Sequence, residues 1–432
     1  MADRHHSDRT TELPRPQPVG VFPLPAGYLL VGAGNGHDQV RAELVAGRIP
    51  EQFPVTLRFY ELALGGDAEA ALSELTGDDP VTMVNRLVLR PTTGLLEELR
   101  HRTGGDLLAY VETVAFNAGL TSDPPEPGQA GGEVDALVHT ARATVALAGH
   151  DRGRAAAELE SAARLASPVS AALTGQVLGQ LASVQLDLGA TKRAQVTFQA
   201  AIDSLAGTDL HLSLAELHVA AGASYQEMSD AAPRLLKVAI NHYMAALSLI
   251  SSDSAPETFA TANANLGLAY LTMPASDAGE LLRVGIAVQS LRHALTVFDP
   301  ERHPERWSST QLNLANALVY MPSAHQAINI AEAVRLYEEV LVVRDPRRDP
   351  QGRARVLANL GNALAHLGLF DQAKLRLHEA RAIFEEFAED AAVRTVRSVL
   401  DHVARQESIL RQSRSGEPGS PERPATDSAA SR

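Results

Sequence analysis

The stretch that decides the fold is VLANLGNALAHLGLFDQAKLRLHEARAIF, residues Val356–Phe384. Its segment ANLGNAL, centred on Gly361, aligns with ANLGLAY, centred on Gly267, and with LNLANAL, centred on Ala315. Three weaker copies are also centred on small residues: Gly222, Ala182 and Ala143. Six copies of one phrase indicate an internal repeat, and a repeat has to be identified before any shorter motif is interpreted.

A second column of small residues follows the first, at alanines that are 39 to 48 residues apart. These alanines are Ala155, Ala194, Ala239, Ala287, Ala333 and Ala373. Four positions after each stands a larger side chain: Leu159, Phe198, Tyr243, Leu291, Tyr337 and Leu377. Three positions further on come Ala162, Ala201, Ala246, Ala294, Val340 and Ala380. Spacings of three and four residues place such side chains on one face of a helix.

The linked columns predict an all-α fold in which two antiparallel helices, A and B, are repeated six times. Small residues stand where the two helix axes cross closely, and the larger residue fills the adjoining space. The pattern therefore predicts an α-α superhelical solenoid of about six helix pairs.

This pattern resembles the tetratricopeptide repeat (TPR) family over about Asp135 to Phe387, most closely in Val356–Phe384. Three inner copies are longer, because 17 to 20 residues, instead of 12, separate the small residue of the A helix from the next alanine. The stretch HPERWSSTQLNLANAL (His303–Leu318) is similar to a longer bacterial variant of the repeat. The resemblance implies a concave groove that binds a partner protein or an extended peptide.

Two Met-Pro pairs, Met273-Pro274 and Met321-Pro322, fall in the enlarged turns. Proline cannot continue a helix, and methionine fills irregular apolar space. We expect both pairs to mark the end of an A helix and not an active site.

Changes in composition predict the organisation of the whole chain. From the N-terminus we expect a disordered segment (1–22), a small α-helical domain (23–120), a Pro/Gly linker (121–134), the solenoid (135–388), a capping helix (389–412) and a disordered tail (413–432). A capping helix is expected because a solenoid needs a polar outer face at its end.

The charge and the cysteine count exclude several classes of function. The net charge is −14, and residues 1–135 hold 20 acidic but only 10 basic side chains, which disfavours a nucleic-acid-binding domain there. The chain has no cysteine, so disulfides, thiolate metal sites and a cysteine nucleophile are ruled out. No stretch is apolar enough to span a membrane. We expect a cytoplasmic protein.

One glycine-rich stretch, YLLVGAGNGHDQVRAEL (Tyr28–Leu44), partly matches a dinucleotide-binding fingerprint. Gly32 and Gly34 are present, but His37 stands where the third glycine belongs and no βαβ unit follows. We favour a tight turn, with Asp38 capping a helix, over a nucleotide site.

Signatures of catalysis and metal binding are missing from the sequence. No P-loop, H-E-x-x-H or G-x-S-x-G motif occurs. His211 and His218 could share a helix face, but we expect ordinary, partly exposed histidines. We therefore expect no catalytic residue, no metal and no cofactor.

Asparagines recur on the A helices in two columns. Asn265, Asn313 and Asn359 form the first column, which we expect chiefly to stabilise helix packing. Asn316 and Asn362 form the second, one turn further on. In related repeats this second column faces the groove, where an amide can donate to and accept from a peptide backbone.

The resemblance implies further residues in the groove. We expect Tyr225, Tyr270, Tyr320 and His366 to give contact area there, and Arg355, which opens the last A helix, is the candidate for holding a carboxylate. The lysines of the family's carboxylate clamp are replaced by Ala264, Leu312 and Ala358, so a chaperone C-terminus is not the expected ligand. For all five arginines of VRDPRRDPQGRAR we nevertheless favour a solvated turn paired with Asp345 and Asp349: Arg344, Arg347, Arg348, Arg353 and Arg355.

These features favour a non-enzymatic scaffold, adaptor or assembly factor that binds a partner protein or peptide in the concave groove. The alternative is a sensory module that binds a peptide or small molecule and regulates a partner. An enzyme within residues 20–120 is a third reading, supported only by the incomplete glycine motif. The sequence leaves the partner and the oligomeric state open.

Overall fold

The computed structural model describes residues 13–128, 131–229, 232–274, 279–321 and 323–415. These residues form nineteen α-helices and a 3₁₀ helix (Val55–Leu57), with one isolated β-bridge between Leu24 and Gly27. The predicted all-α class is confirmed. Among the helices of this part of the chain, none is both long and apolar enough to cross a bilayer. The disorder expected for residues 1–12 and 416–432 lies outside the described residues.

Six helices precede the repeats. They are α1 (His37–Val45), α2 (Arg58–Leu64), α3 (Ala68–Glu74), α4 (Pro80–Leu89), α5 (Thr93–Arg102) and α6 (Gly105–Asn117). Three have an N-cap side chain that accepts from a backbone amide of the first turn: Asp67 for α3, Asp79 for α4 and Thr92 for α5.

The six predicted helix pairs are present, and in each pair the two helices pack on each other. The pairs are α7 (Gly132–Ala148) with α8 (Arg152–Ala166), α9 (Ala171–Asp187) with α10 (Thr191–Leu205), α11 (His211–Glu227) with α12 (Leu235–Leu249), α13 (Pro256–Thr272) with α14 (Glu280–Ala294), α15 (Pro304–Tyr320) with α16 (Gln326–Val343), and α17 (Pro350–His366) with α18 (Phe370–Glu386). A last helix, α19 (Asp390–Ser415), packs on α18.

The chain divides into two compact units between Asn265 and Leu266, inside α13. One continuous core in the first unit runs from Val19 to Ala221. Residues 23–120, which we expected to form a domain of their own, contribute to this core together with α7 to α10. The second unit has its main core between α14 and α17 and a smaller one around α17, α18 and α19.

The columns of small and large residues explain how the two helices of each pair pack closely together. All residues of the three columns that begin at Ala155, Leu159 and Ala162 are at most 1% exposed. A Cβ atom built on Gly361 would lie 2.6 Å from Cγ of Leu377, and one built on Gly222 would lie 2.6 Å from Cε1 of Tyr243. Glycine therefore recurs because the large residue of the B helix occupies the space that a side chain would need.

Replacing Gly361 by alanine should destabilise the second unit by about 1–3 kcal/mol, since Leu377 has to move away from the new methyl group. Gly285, inside α14, is the matched control because a Cβ there would meet nothing within 4 Å. Gly285→Ala should stabilise by up to about 1 kcal/mol through helix propensity. Urea unfolding followed by circular dichroism measures both variants. Equal effects would contradict the packing role of Gly361.

The segment before α1 differs from our expectation. We expected residues 1–22 to be disordered, yet Val19 and Val21 are fully buried. Gln17 is buried as well, and its side chain accepts from the backbone amide of Val31 (2.8 Å) and donates to the carbonyl oxygen of the same residue (2.9 Å). The disorder prediction is therefore wrong for residues 17–22, because this segment completes the core of the first unit.

The glycine-rich stretch forms a turn, but Asp38 is not the cap. The N-cap of α1 is Gly36, whose φ of 79° lies in the left-handed region, and Asp38 instead pairs with Arg41 in the first turn (2.6 Å). The ring of His37 fills the space beside Gly34 and bonds to the carbonyl oxygen of Gly32 (2.9 Å). The side chain of His37 thus fills the space inside this turn.

The A helices α13 and α15 end where the two Met-Pro pairs predicted. Helix α13 ends at Thr272, directly before Met273-Pro274, and α15 ends at Tyr320, directly before Met321. Met321 packs against the main core of the second unit, as expected for a gap-filling side chain. Pro322 lies outside the described residues.

Candidate functional site

Two polar stripes on neighbouring A helices form the candidate site, which lies in the second unit. On α15 the stripe is Asn313, Asn316 and Tyr320, and on α17 it is Arg355, Asn359, Asn362 and His366. Spacings of three and four residues align each stripe along one helix face. We call these seven residues the α15–α17 face.

The first residues of α15 and α17 determine where each helix, and therefore each stripe, begins. Pro304 and Pro350 occupy the first turns of α15 and α17, where the missing amide hydrogen costs nothing. The side chain of Asp349 caps α17 by accepting from the amide of Gly352 (2.8 Å).

Hydrogen bonds join the two stripes side by side. Nδ2 of Asn359 donates to Oδ1 of Asn316 (2.9 Å), and Nδ2 of Asn362 lies 3.3 Å from the hydroxyl oxygen of Tyr320. The buried hydroxyl of Tyr337, on α16, donates to the same oxygen of Asn316 (2.6 Å). The A helices of consecutive pairs are therefore connected by an amide and tyrosine ladder.

The ladder changes the role that we expected for Asn316. Its side-chain oxygen accepts two hydrogen bonds from within the protein, so both acceptor positions of that oxygen are occupied. Asn316 is half-buried and holds α15, α16 and α17 together. Asn359, from the column that we expected to stabilise packing, is its partner.

The outer part of the face is open to solvent. Tyr320 is 69% exposed, and Arg355 and His366 are exposed as well, whereas Asn362 is half-buried beside Tyr320. Arg355 forms an ion pair with Glu389 just before α19 (3.4 Å), a long contact that an incoming carboxylate could replace. The exposed ring of Tyr320 and the amide of Asn362 therefore lie beside each other, and Arg355 lies two turns away along the same face of α17.

Two tyrosines that we predicted for the groove, Tyr225 and Tyr270, are not part of the α15–α17 face. Tyr270 is half-buried on the last turn of α13, and none of the hydrogen bonds and ring contacts within the described ranges joins it to the α15–α17 face. Tyr225 belongs to the first unit, where its ring stacks on His242 (centroids 5.6 Å apart, planes at 11°). Both stay proposals as binding residues.

The neighbouring arginine cluster behaves as a paired turn. Arg344 lies 3.0 Å from Asp349 and Arg348 lies 3.7 Å from Asp345, as we expected. Arg353 donates to the carbonyl oxygen of Leu341 at the end of α16 (2.9 Å). This cluster ties the α16–α17 connection together.

A histidine pair in the first unit was not foreseen from the sequence. The Nδ1 atoms of His218 and His242, on α11 and α12, are 3.0 Å apart, and both rings are half-buried. Burial and the neighbouring His242 lower the pKa of His218 to about 4, and burial lowers the pKa of His242. His211, the partner that we considered, is exposed. In the part of the chain that the structure describes, no three His, Cys, Asp or Glu side chains cluster as a metal site would require.

The histidine pair makes stability depend on pH. Because its pKa is lower in the folded chain than the ordinary value of 6.5, the unfolded chain takes up protons first when the pH falls below 6.5. His218 alone should therefore remove on the order of 2 kcal/mol of stability between pH 7 and pH 5. Urea unfolding at pH 7, 6 and 5 measures the decline, which should be shallower for His218→Asn. Parallel declines would contradict the role of this pair.

Among the comparisons with known proteins, only the one with solved structures found similar chains. No protein-family model and no curated protein matches this chain. The apo form of RapI is similar at 14% identity and a TM-score of 0.45, over 82% of this chain and 97% of that one. A Rap protein complexed with competence and sporulation factor is similar at 13% identity and a TM-score of 0.42, over 82% and 97%. A tetratricopeptide repeat protein from Parabacteroides merdae is similar at 17% identity and a TM-score of 0.37, over 62% and 98%. TPR proteins are thus among the solved structures that this chain is similar to.

Proposed function

We propose that this chain is a non-enzymatic binding protein, acting as a scaffold, adaptor or assembly factor, which holds an extended segment of a partner protein on the α15–α17 face. The observation that carries the proposal is the exposed ring of Tyr320 beside the amide of Asn362, on two helices that their hydrogen bonds hold in register. A rigid surface of this kind binds without first having to be ordered.

Each exposed group of the face has a distinct part in recognition. The ring of Tyr320 supplies contact area, and aromatic rings of this size are enriched among the residues that dominate binding energy. The amide of Asn362 can exchange its long bond to Tyr320 for hydrogen bonds with a peptide backbone. Arg355 holds an acidic side chain or a terminal carboxylate of the partner in place of Glu389.

Selection from a random peptide display library on the immobilised full chain tests the proposal. The best peptide should lose about 100-fold in affinity for the triple variant Tyr320→Ala/Asn362→Ala/Arg355→Ala, because one aromatic anchor and two polar contacts are removed. Asn316 is left intact because it holds three helices together.

The matched control is Ile328→Ala/Leu375→Ala, on α16 and α18, where two exposed apolar side chains are shortened away from the face. This control should bind the peptide as the wild type does. Equal affinity of the triple variant and the wild type, or a loss confined to the control, would contradict binding on the α15–α17 face. Melting curves of all three proteins show whether each is folded.

A further inference from the structure

A second polar surface lies in the first unit, between the A helices α9 and α11. It is an open cavity of about 350 Å³. Gln176, Gln180 and Ser183 line it from α9, and Ser213 and Glu216 line it from α11. The spacings within each helix place these side chains on the faces that look toward each other.

Small residues let α9 and α11 approach each other closely beside the cavity. Gly179 lines the cavity on α9, and a Cβ atom there would lie 2.6 Å from Cδ2 of Leu217. Ala220 lines it from α11. A space bounded by glycine and alanine, and edged by amides and hydroxyls, admits a single long side chain but no folded element.

The lining of the cavity carries a negative charge and no positive charge. Nε2 of Gln176 donates to Oγ of Ser213 (3.0 Å), which leaves the oxygen of Gln176 to accept. The carboxylate of Glu216 forms no ion pair or hydrogen bond with the described residues, and the lining includes no Lys, Arg or His. Glu216 is exposed, but the surrounding protein partly desolvates its carboxyl group and raises its pKa. The site therefore offers a carboxylate and amide oxygens without a cation to balance them.

We propose that this α9–α11 cavity binds the cationic side chain, lysine or arginine, of an extended peptide. The ammonium or guanidinium group donates to the carboxylate of Glu216 and to the amide oxygens of Gln176 and Gln180, while the aliphatic stem lies along Leu217 and Ala220. This site goes beyond the α15–α17 face and does not depend on it. A free polyamine presents the same ammonium chemistry without a peptide backbone.

Blocked pentapeptides of the form Ala-Ala-X-Ala-Ala, with X as Lys, Arg or Gln, test the proposal on the full chain. Binding is followed by ligand-observed NMR and compared with binding of spermidine. The Lys and Arg peptides should bind at least about tenfold more tightly than the Gln peptide, as expected for one charge-assisted contact in a partly desolvated site.

Glu216→Gln should remove this preference and weaken both cationic peptides about tenfold. Its matched control is Glu227→Gln, which makes the same change of charge on the last turn of the same helix but outside the cavity. The control should change affinity less than about twofold. Glu216→Gln should melt no lower than the wild type, since it removes an unpaired, partly desolvated carboxylate.

Three results would overturn the proposal: equal binding of the Lys and Gln peptides, equal losses in the two glutamine variants, or no binding of any pentapeptide. Tighter binding of spermidine than of the peptides, with the same dependence on Glu216, would assign the cavity to a free polyamine instead. The triple variant of the α15–α17 face should bind these pentapeptides normally, so failure at one site is distinguishable from failure at the other.

Discussion

Replacing Glu133 by alanine is expected to lower the free energy of unfolding of the first unit by about 3 kcal/mol, because it removes one partner of a buried ion pair. The side chain of Glu133 is 1% exposed. Its two carboxylate oxygens accept from Arg15 (2.9 and 2.8 Å), and one of them also accepts from the backbone amide of Gln17 (3.0 Å). The substitution would take from Arg15 its bidentate partner and release the N-terminal segment from α7.

The pKa of Glu133 supports this expectation. Burial by itself raises that pKa, but the bonds from Arg15 and Gln17 outweigh burial and lower the pKa below its ordinary value of 4.5. The pair therefore stabilises the fold at neutral pH, and this contribution is lost as the pH falls below about 4.5.

Glu69→Ala is the matched control for Glu133→Ala. Glu69 pairs with Arg90 (2.6 Å), but both side chains are mostly exposed, so the loss should stay below about 1 kcal/mol. Urea unfolding at pH 7 measures the two variants side by side. Similar losses would mean that Glu133 does not anchor the N-terminal segment.

Replacing Tyr337 by alanine should cost about 3–5 kcal/mol in the second unit. Tyr337 is 1% exposed, lies within the main core of this unit and donates to Asn316 (2.6 Å). Truncation would therefore leave a cavity in the core and remove a hydrogen bond of the ladder.

Tyr337→Phe separates the two contributions, because it keeps the ring and removes only the hydroxyl. Its cost should be about 1 kcal/mol, the net worth of one hydrogen bond. Urea unfolding gives both numbers. A phenylalanine variant as unstable as the alanine variant would place the stabilisation in the hydrogen bond instead of in the packing of the ring.

The repeat architecture could be predicted because its cause is local and periodic. Each A helix needs a small residue where a B helix crosses it, and each B helix needs a large residue opposite, as Gly361 and Leu377 show. Both requirements therefore recur along the sequence, at intervals of 39 to 48 residues. The ends of α13 and α15, directly before Met273 and Met321, also follow from local rules, because proline stops a helix.

Features that depend on distant residues could not be predicted in the same way. The burial of residues 17–22 relies in part on Glu133, which is 116 residues away from Gln17. Asn316 and Asn362 look equivalent in the repeat, yet only Asn316 lies opposite a tyrosine hydroxyl from its own B helix. The pairing of His218 with His242 likewise requires knowing which faces of α11 and α12 meet. The α9–α11 cavity depends on how closely α9 and α11 approach each other, at Gly179 and Leu217, which no motif records.

Hydrogen–deuterium exchange of the full chain, with and without the best selected peptide, tests binding on the α15–α17 face most directly. A peptide without lysine or arginine is the right probe, since it leaves the α9–α11 cavity out of the comparison. We expect the peptide to slow exchange in α15 and α17, around Tyr320 and Asn362, and to leave α1 to α6 unchanged. Slower exchange elsewhere, with α15 and α17 unaffected, would contradict the assignment of the binding surface.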